Sequence, residues 1–374
     1  MRLSLISRSI GGVVVAMVAG AAMADPSSVT LYGVADTFIQ YLNNGGMSSV
    51  SERSGGSTGS MFGFRGSEDL GGGLKAAFDV ENGFNINNGT GFVDTSSLFY
   101  RQAWVGLAHG TYGSLTFGRQ YEPSFRVIYP TDPFRANDIM SPLSAGVLAV
   151  DRNTLSTQYV AGRASNSILY QSPVFAGFQV DAMYAFAASV TQPTPATTGN
   201  ILDLSASYNG YGLYVGIAYQ YQHSGFETIP GLPGALTLAN TEHLSAGLAY
   251  RIGIVNLQAN YSYNRAEEVP AHSLAALLDT SHPYSLAEVG ATIEATPADV
   301  FEIAGINRNV RGADDRTWGI QAGYDHSLSK RTSLYARAGY MRNHGEATMS
   351  WPGVSVKAPG TSQTLAVIGM THRF

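Results

Sequence analysis

The chain contains no cysteine, which removes disulfide frameworks, thiolate nucleophiles and cysteine-based metal sites together. It is also short of charge. Asp, Glu, Lys and Arg make up 13% of its 374 residues, about half of the 25% typical of a soluble globular chain. Lysine is scarcer still, with three residues against nineteen arginines. Past the first 24 residues no run of about 18 apolar residues occurs, which excludes a helical membrane protein. Disorder is excluded by the opposite count, 44% hydrophobic and 11% aromatic residues. The eight histidines show neither a His-Glu-x-x-His pattern nor a metal-ligand spacing, so no metal and no other cofactor is expected. A pI of 5.9 gives no reason to expect nucleic acid. What is abundant is 43 Gly and 21 Tyr at a mean hydropathy of -0.01. These numbers describe a large, weakly charged, aromatic, glycine-rich β protein.

Residues 1–24 read as an export signal. Arg2 and Arg8 precede an apolar stretch from Ile10 to Met23, and Ala22-Met23-Ala24 forms a small-x-small cleavage site before Asp25. The stretch is short for a membrane anchor, and no stop-transfer charges follow it. Its removal leaves one domain, 25–374, and moves the formal charge from -5 to -7.

From Asp25 onward the dominant signal is alternation. In Val255-Asn256-Leu257-Gln258-Ala259-Asn260-Tyr261-Ser262-Tyr263-Asn264 every odd position is apolar or aromatic and every even one is an amide or hydroxyl. That run has period 2 and matches the roughly 9–11 residues of one tilted transmembrane strand. Strands are predicted near 29–42, 60–67, 72–83, 97–108, 112–121, 165–173, 176–187, 201–209, 212–223, 242–252, 254–265, 286–295, 298–308, 315–327, 330–343 and 361–373, sixteen in all.

A soluble sandwich also alternates, so the connections decide the solvent. Every second one is tight, as at Glu68-Asp69-Leu70-Gly71, His109-Gly110-Thr111, Asn209-Gly210-Tyr211-Gly212 and Thr296-Pro297. The intervening ones are mostly long and polar, as in 43–59, 191–200 and 265–285. An even-stranded antiparallel β-barrel in an outer membrane has this asymmetry, short turns inside the cell envelope and long loops outside. Closure also satisfies every backbone group in lipid. Between the fifth and sixth strands lie about 43 residues, 122–164, with Pro123, Pro130, Pro133 and Pro142 to oppose strand pairing. Length and proline content suit both an external loop and one folded into the lumen.

Several segments carry a resemblance. Ser28-Val29-Thr30-Leu31-Tyr32-Gly33-Val34-Ala35-Asp36, Gly63-Phe64-Arg65-Gly66-Ser67-Glu68-Asp69-Leu70-Gly71, Tyr100-Arg101-Gln102-Ala103-Trp104-Val105-Gly106-Leu107, Tyr112-Gly113-Ser114-Leu115-Thr116-Phe117-Gly118-Arg119, Asn166-Ser167-Ile168 and the terminal Phe374 resemble the general porins of Gram-negative outer membranes, β-proteobacterial type. The resemblance implies a sixteen-stranded homotrimer, a passive diffusion channel for small hydrophilic solutes, whose third loop constricts each pore. It implies contact with outer-membrane lipid and lipopolysaccharide, and Phe374 as a signal to the barrel-assembly machinery. The Pro-Glu-Phe-Gly-Gly signature of enterobacterial members is absent from the loop.

Function in such a protein is a field across a narrow aqueous path. Parity places Arg65 opposite in sense to Phe62 and Phe64, hence inward. Arg101 shares parity with Phe99, Val105 and Leu107, leaving Gln102 and Trp104 for the other face. A subunit interface accommodates either assignment, and Gln102 and Trp104 then mark a protein-covered outer patch. By resemblance Arg65, Arg101 and Arg163 occupy basic positions of the pore wall, with Lys75 near the mouth. Inward Asp36, Asp79 and Glu81 are expected to offset them, and Glu122, Asp132 and Asp138 to face them from the loop. The plainer alternative is solvated rim charge, or ion pairing with neighbouring carboxylates. Tyr32, Tyr41, Phe62, Phe178, Tyr184, Tyr250, Trp318 and Phe374 read as interfacial girdles. The overall charge of -7 favours cations, yet charge at the constriction outweighs distant charge over a screening length of about 8 Å. Weak anion preference is therefore expected. A substrate-specific channel and an adhesive or structural barrel are the alternatives. A barrel enzyme would need a nucleophile beside a histidine at one rim, and no motif singles out such a pair.

Overall fold

A strand with one apolar and one polar face must stack or close, and in hydrocarbon only closure leaves no unpaired edge. The computed structural model describes residues 28–92, 97–136, 139–141, 162–186, 199–227, 236–237, 239–271, 273, 276, 281–354 and 356–374, and they form a closed antiparallel barrel. Its staves begin with β1 (Ser28–Asn44) and with β2, which runs as Met47–Ser54 and resumes as Met61–Gly71. Then come β3 (Leu74–Gly83), β4 (Gln102–His109), β5 (Gly113–Tyr121), β6 (Arg163–Gln171), β7 (Phe178–Ala185), β8 (Ile201–Gly210) and β9 (Leu213–Gln222). The circuit continues through β10 (Thr241–Ile252), β11 (Val255–Ala266), β12 (Tyr284–Glu294), β13 (Asp299–Val310), β14 (Asp315–Ser327), β15 (Thr332–Gly345) and β16 (Ser362–Arg373). Each stave pairs with the next. β16 returns to β1, with Val34 opposite Arg373 and Asn44 opposite Gln363. The expected leader 1–24, Asp138 and most of the second half of the third loop, including Pro142, Asp151 and Arg152, lie outside the described residues.

The alternation survives as two faces. On β11, Gln258, Asn260, Ser262 and Asn264 are buried on the lumen side, while Leu257 and Tyr261 are exposed on the outer one. One end of the barrel carries tight turns throughout. At the other, the two residues 45–46 between β1 and β2 and the four residues 311–314 between β13 and β14 form short connections among the longer ones.

Three local predictions are corrected. The expected loop 43–59 is largely a hairpin: Gly45 and Gly46, at φ 63° and 84°, turn the chain so that Met47–Ser54 pairs along β1. Asn-Gly-Gly is a strong hairpin signal, masked because the serine-rich strand after it lacks apolar alternation. Next, the chain leaves the wall at Gly55 and returns at Met61. Asp36 holds this excursion inside, accepting hydrogen bonds from the Gly56, Ser57 and Thr58 amides at 2.7, 3.3 and 3.3 Å and from Tyr335 Oη at 2.7 Å. Asp36 is thus an anchor with no exposed surface rather than a charge facing the pore. Finally, β4 starts at Gln102 rather than 97. The Leu98 carbonyl is taken by the Asn82 amide and the Tyr100 carbonyl by the Arg119 guanidinium, which diverts both from a ladder.

The connection from β5 to β6, loop 3, enters the lumen as α1 (Pro123–Ile128) and a 3-10 turn, Tyr129–Thr131. Proline at the first helical turn removes an amide that has no intrahelical partner anyway. Phe125, Val127, Ile128, Phe134, Ile139 and Met140 are buried against the inner wall together with Leu286, Ile306, Leu365 and Val367. Each such side chain contributes roughly 1.5–3 kcal/mol of burial. The inner face is therefore apolar over much of β12–β16, and the lumen is not the uniformly polar surface that alternation alone suggests.

Close approach is possible because inward glycines on β9, β10 and β12 lie under the loop. A Cβ at Gly216 would stand 2.6 Å from Val127, at Gly247 2.6 Å from Thr131, and at Gly290 2.7 Å from Pro133. Gly247→Val is expected to push the loop off its bed, lowering single-channel conductance and costing about 1–3 kcal/mol of stability by overpacking. Gly305, whose added Cβ would meet only one backbone oxygen at 3.8 Å, serves as control. Equal conductance in Gly247→Val and Gly305→Ala would remove the glycine bed from the account.

Candidate functional site

The wall opposite this bed is lined by β2–β6. Arg65 sits on β2 with Thr30 and Asp79 directly across, which fixes it on the inner face. Its guanidinium lies 4.6 Å from the centre of the Tyr32 ring, close enough for cation–π attraction. The Tyr32 hydroxyl donates to Asp79 Oδ1 at 2.7 Å and to Glu81 Oε2 at 3.1 Å. Glu81 Oε1 in turn accepts from Arg101 Nε at 2.5 Å. Arg101 Nη2 reaches the Tyr121 hydroxyl at 3.3 Å, and Arg163 both donates to that hydroxyl and lies 4.1 Å from the ring centre. Tyr121 stacks on Phe125 of loop 3 with centroids 5.0 Å apart. Three guanidiniums and two carboxylates thus form one continuous chain, Arg65 to Arg163, with a net charge of +1, of which Arg65 is exposed to the lumen while Arg101, Arg163 and Glu81 are buried in the wall behind it.

The sequence-level site is only partly what this geometry assembles. Arg65, Arg101 and Arg163 are brought together. Asp79 and Glu81 do not stand across the pore from them but lie between them, because Arg65 and Asp79 are a direct cross-strand pair and Glu81 follows on the same face. Lys75 shares that face at the turn end of β3, opposite Asp69 and Ala108, exposed and apart from the chain. Arg101 lies in the bend before β4, so strand parity does not govern it. Gln102 and Trp104 consequently line the lumen with Tyr121 and Arg126 instead of an outer patch. Tyr32 is likewise inside the barrel, not in a girdle.

The two described loop acids are buried rather than exposed to the lumen, and Glu122 lies within electrostatic reach of Arg163 and Arg119. Glu122 is fully buried where loop 3 leaves β5. Burial first, and Asp203 of β8 second, push its carboxyl well above the ordinary range. Asp132 is equally buried and ties the loop to itself, accepting from Phe134 N at 2.7 Å, Ala136 N at 2.8 Å and Ser141 Oγ at 2.5 Å. Burial raises its pKa against the pull of these donors. Asp138 lies outside the described residues. The charge that α1 does present is Arg126, its one exposed residue, 3.7 Å from Asp181 of β7. Phe374 closes the circuit: its amide and carbonyl exchange hydrogen bonds with Gly33 at 3.1 Å each.

A closed barrel with an apolar exterior, a loop folded inside and a charged inner wall facing that loop defines a transmembrane β-barrel channel. The chain belongs to the Gram-negative porin family, whose sequence pattern matches residues 12–346. It is 29% identical over 383 residues to outer membrane porin protein 32 of Delftia acidovorans, covering 98% of this chain and 99% of that one. An outer membrane porin protein of Bordetella pertussis is 28% identical over 397 residues, covering 95% and 96%. Among solved structures, the anion-selective porin from Comamonas acidovorans superimposes with a TM-score of 0.78 at 26% identity, covering 93% of this chain and all of that one. The protein is a passive channel of the bacterial outer membrane and not an enzyme.

Proposed function

We propose that the channel passes small hydrophilic solutes and ions by diffusion and prefers anions at the Arg65–Arg163 chain. The observation that carries this reading is the count of charges there, three guanidiniums against two carboxylates, with the exposed Arg65 at its open end and the described loop acids Glu122 and Asp132 buried. The anion selectivity named for the Comamonas porin agrees with it. Lys75 adds positive charge at the turn-side mouth.

A homotrimer is the assembly we propose. On the outer face Glu52 sits among Ile39, Leu334, Ile368 and Met370 along a groove of about 850 Å³, hydrogen-bonded by Thr37 Oγ1. A carboxylate there is costly against lipid and acceptable against a second copy. Lipid and lipopolysaccharide meet the remaining exterior, residues 1–24 act as the export signal, and Phe374 serves recognition by assembly machinery.

Liposome swelling tests passive diffusion. Uptake of neutral sugars is expected to fall steeply with solute size and to rise in proportion to the gradient, without saturation or competition. Saturable, mutually competitive uptake would replace this reading with a substrate-specific channel.

A further inference from the structure

Beneath loop 3, towards the tight-turn end of β13–β16, the lumen holds a second polar pocket of about 250 Å³ that includes none of Arg65, Arg101 or Arg163. Three guanidiniums reach it. Arg337 is spoken for, with Asp325 at 2.9 Å and Glu302 at 3.6 Å. Arg135 and Arg373 are exposed and make no ion pair within 4.0 Å among the described residues. Their placement follows from the fold. Arg135 sits at the turn of loop 3 with φ 54°, its amide 3.0 Å from the Asp132 carbonyl, while the Asp132 carboxylate grips the amides on either side. Arg373 is the last inward position of β16, where its amide bonds Arg331 O at 2.8 Å.

The same pocket receives Ser57 and Thr58 from the inward excursion of β2, and Ser333 from β15. Asp36 accepts from the backbone amides of Ser57 and Thr58, and both residues line the pocket. The Glu302 and Asp325 carboxylates that hold Arg337 also line the pocket, so its three guanidiniums leave a net charge of +1. The two guanidinium forks outside that cluster and several hydroxyl donors together match a ligand with several acceptor oxygens, which a fork binds bidentately and a halide cannot. The volume lies below the roughly 300–1,000 Å³ of drug-sized sites, so the ligand has few heavy atoms.

We propose that Arg135, Arg373, Ser57, Thr58 and Ser333 form a binding station for a small oxyanion, a short-chain carboxylate or inorganic phosphate, on the turn side of loop 3. The station rests on the diffusion-channel reading and adds a second stop to the anion path. Weak occupancy suits a pore, since a solute must be able to leave.

The test is block of chloride current through single channels in planar bilayers, with succinate or inorganic phosphate added on the side to which the short turns open. Millimolar probe is expected to reduce the chloride current by half or more. Whichever probe acts identifies the class, carboxylate or phosphate. The pair Arg135→Ser and Arg373→Ser is expected to raise the half-blocking concentration about ten-fold, in line with loss of two unit charges near the ligand. Ser57→Ala with Thr58→Ala, which keeps the backbone anchors on Asp36, is expected to raise it a few-fold and guards against a misfolded arginine variant. Absence of block by both probes, or equal block in wild type and both variants, overturns the station. Failure of the underlying reading looks different: wild type would then show no chloride preference at all.

Discussion

Replacing Arg65 and Arg163 together by serine is expected to turn the channel from anion-preferring to cation-preferring. The chain to which they belong carries +1, so losing two guanidiniums leaves -1. A unit charge about 4 Å from a passing ion contributes about 1 kcal/mol in water, close to five-fold in occupancy, with opposite sign for anion and cation. At 0.1 M salt the screening length is about 10 Å, so groups beside the path keep most of that effect. The chloride-to-potassium permeability ratio should fall by about ten-fold or more. Each of the two guanidiniums rests on an aromatic ring, Arg65 on Tyr32 and Arg163 on Tyr121. Arg101, by contrast, is locked to Glu81 at 2.5 Å, and its removal would strand that buried acid. Reversal potentials of the double variant in a KCl gradient give the ratio directly. An unchanged ratio would assign selectivity elsewhere in the lumen.

Asp132→Ala is expected to unlock loop 3. The substitution removes the carboxylate that the Phe134 and Ala136 amides and the Ser141 hydroxyl bond inside a buried turn, and a buried donor that loses its acceptor costs about 1–3 kcal/mol. Arg135 and Ala136, at φ 54° and 51°, occupy a region that costs an L residue roughly 1–2 kcal/mol, and the Asp132 carboxylate is what holds them there. With the clasp gone, these residues relax and the loop leaves its glycine bed. Single-channel records should show flickering among several conductance levels where wild type shows one. The barrel itself should persist, because none of its ladders involves Asp132. Asp132→Asn keeps one acceptor oxygen and should fall between the two. Steady wild-type currents in Asp132→Ala would mean that the apolar contacts of Phe134, Ile139 and Met140 suffice.

How much of this is legible in the sequence follows from how local each determinant is. The period of β11 is a property of ten consecutive residues, and the tight turns are two- to four-residue signals, so staves, pairing order and the faces of Arg65, Asp79 and Glu81 can be read directly. The parity of Tyr32 is equally readable from Val29 and Leu31 as outward neighbours, but its place near a strand end suggests a girdle. Arg101 escapes such reading because parity holds only while the chain is a strand, and here side chains of Asn82 and Arg119 draw it out of the ladder. Asp36 escapes it because the fold supplies a donor from far away, Tyr335, 299 positions along the chain. Asp132 escapes it although its donors are local, since a carboxylate in a proline-rich stretch looks solvated until the loop folds into the lumen and buries it. The apolar inner face of β12–β16 is hidden in the same way, since only the presence of loop 3 makes inward Leu286, Ile306 and Val367 sensible.

The zero-current potential of the wild-type channel across a tenfold KCl gradient, set beside that of the Arg65→Ser, Arg163→Ser variant, tests the role of the arginine chain most directly. The wild-type potential should take the sign of the chloride equilibrium potential, and the variant should take the sign of potassium. A potassium-signed wild-type potential, or a chloride-signed potential in both proteins, would contradict the assignment of anion preference to Arg65, Arg101 and Arg163.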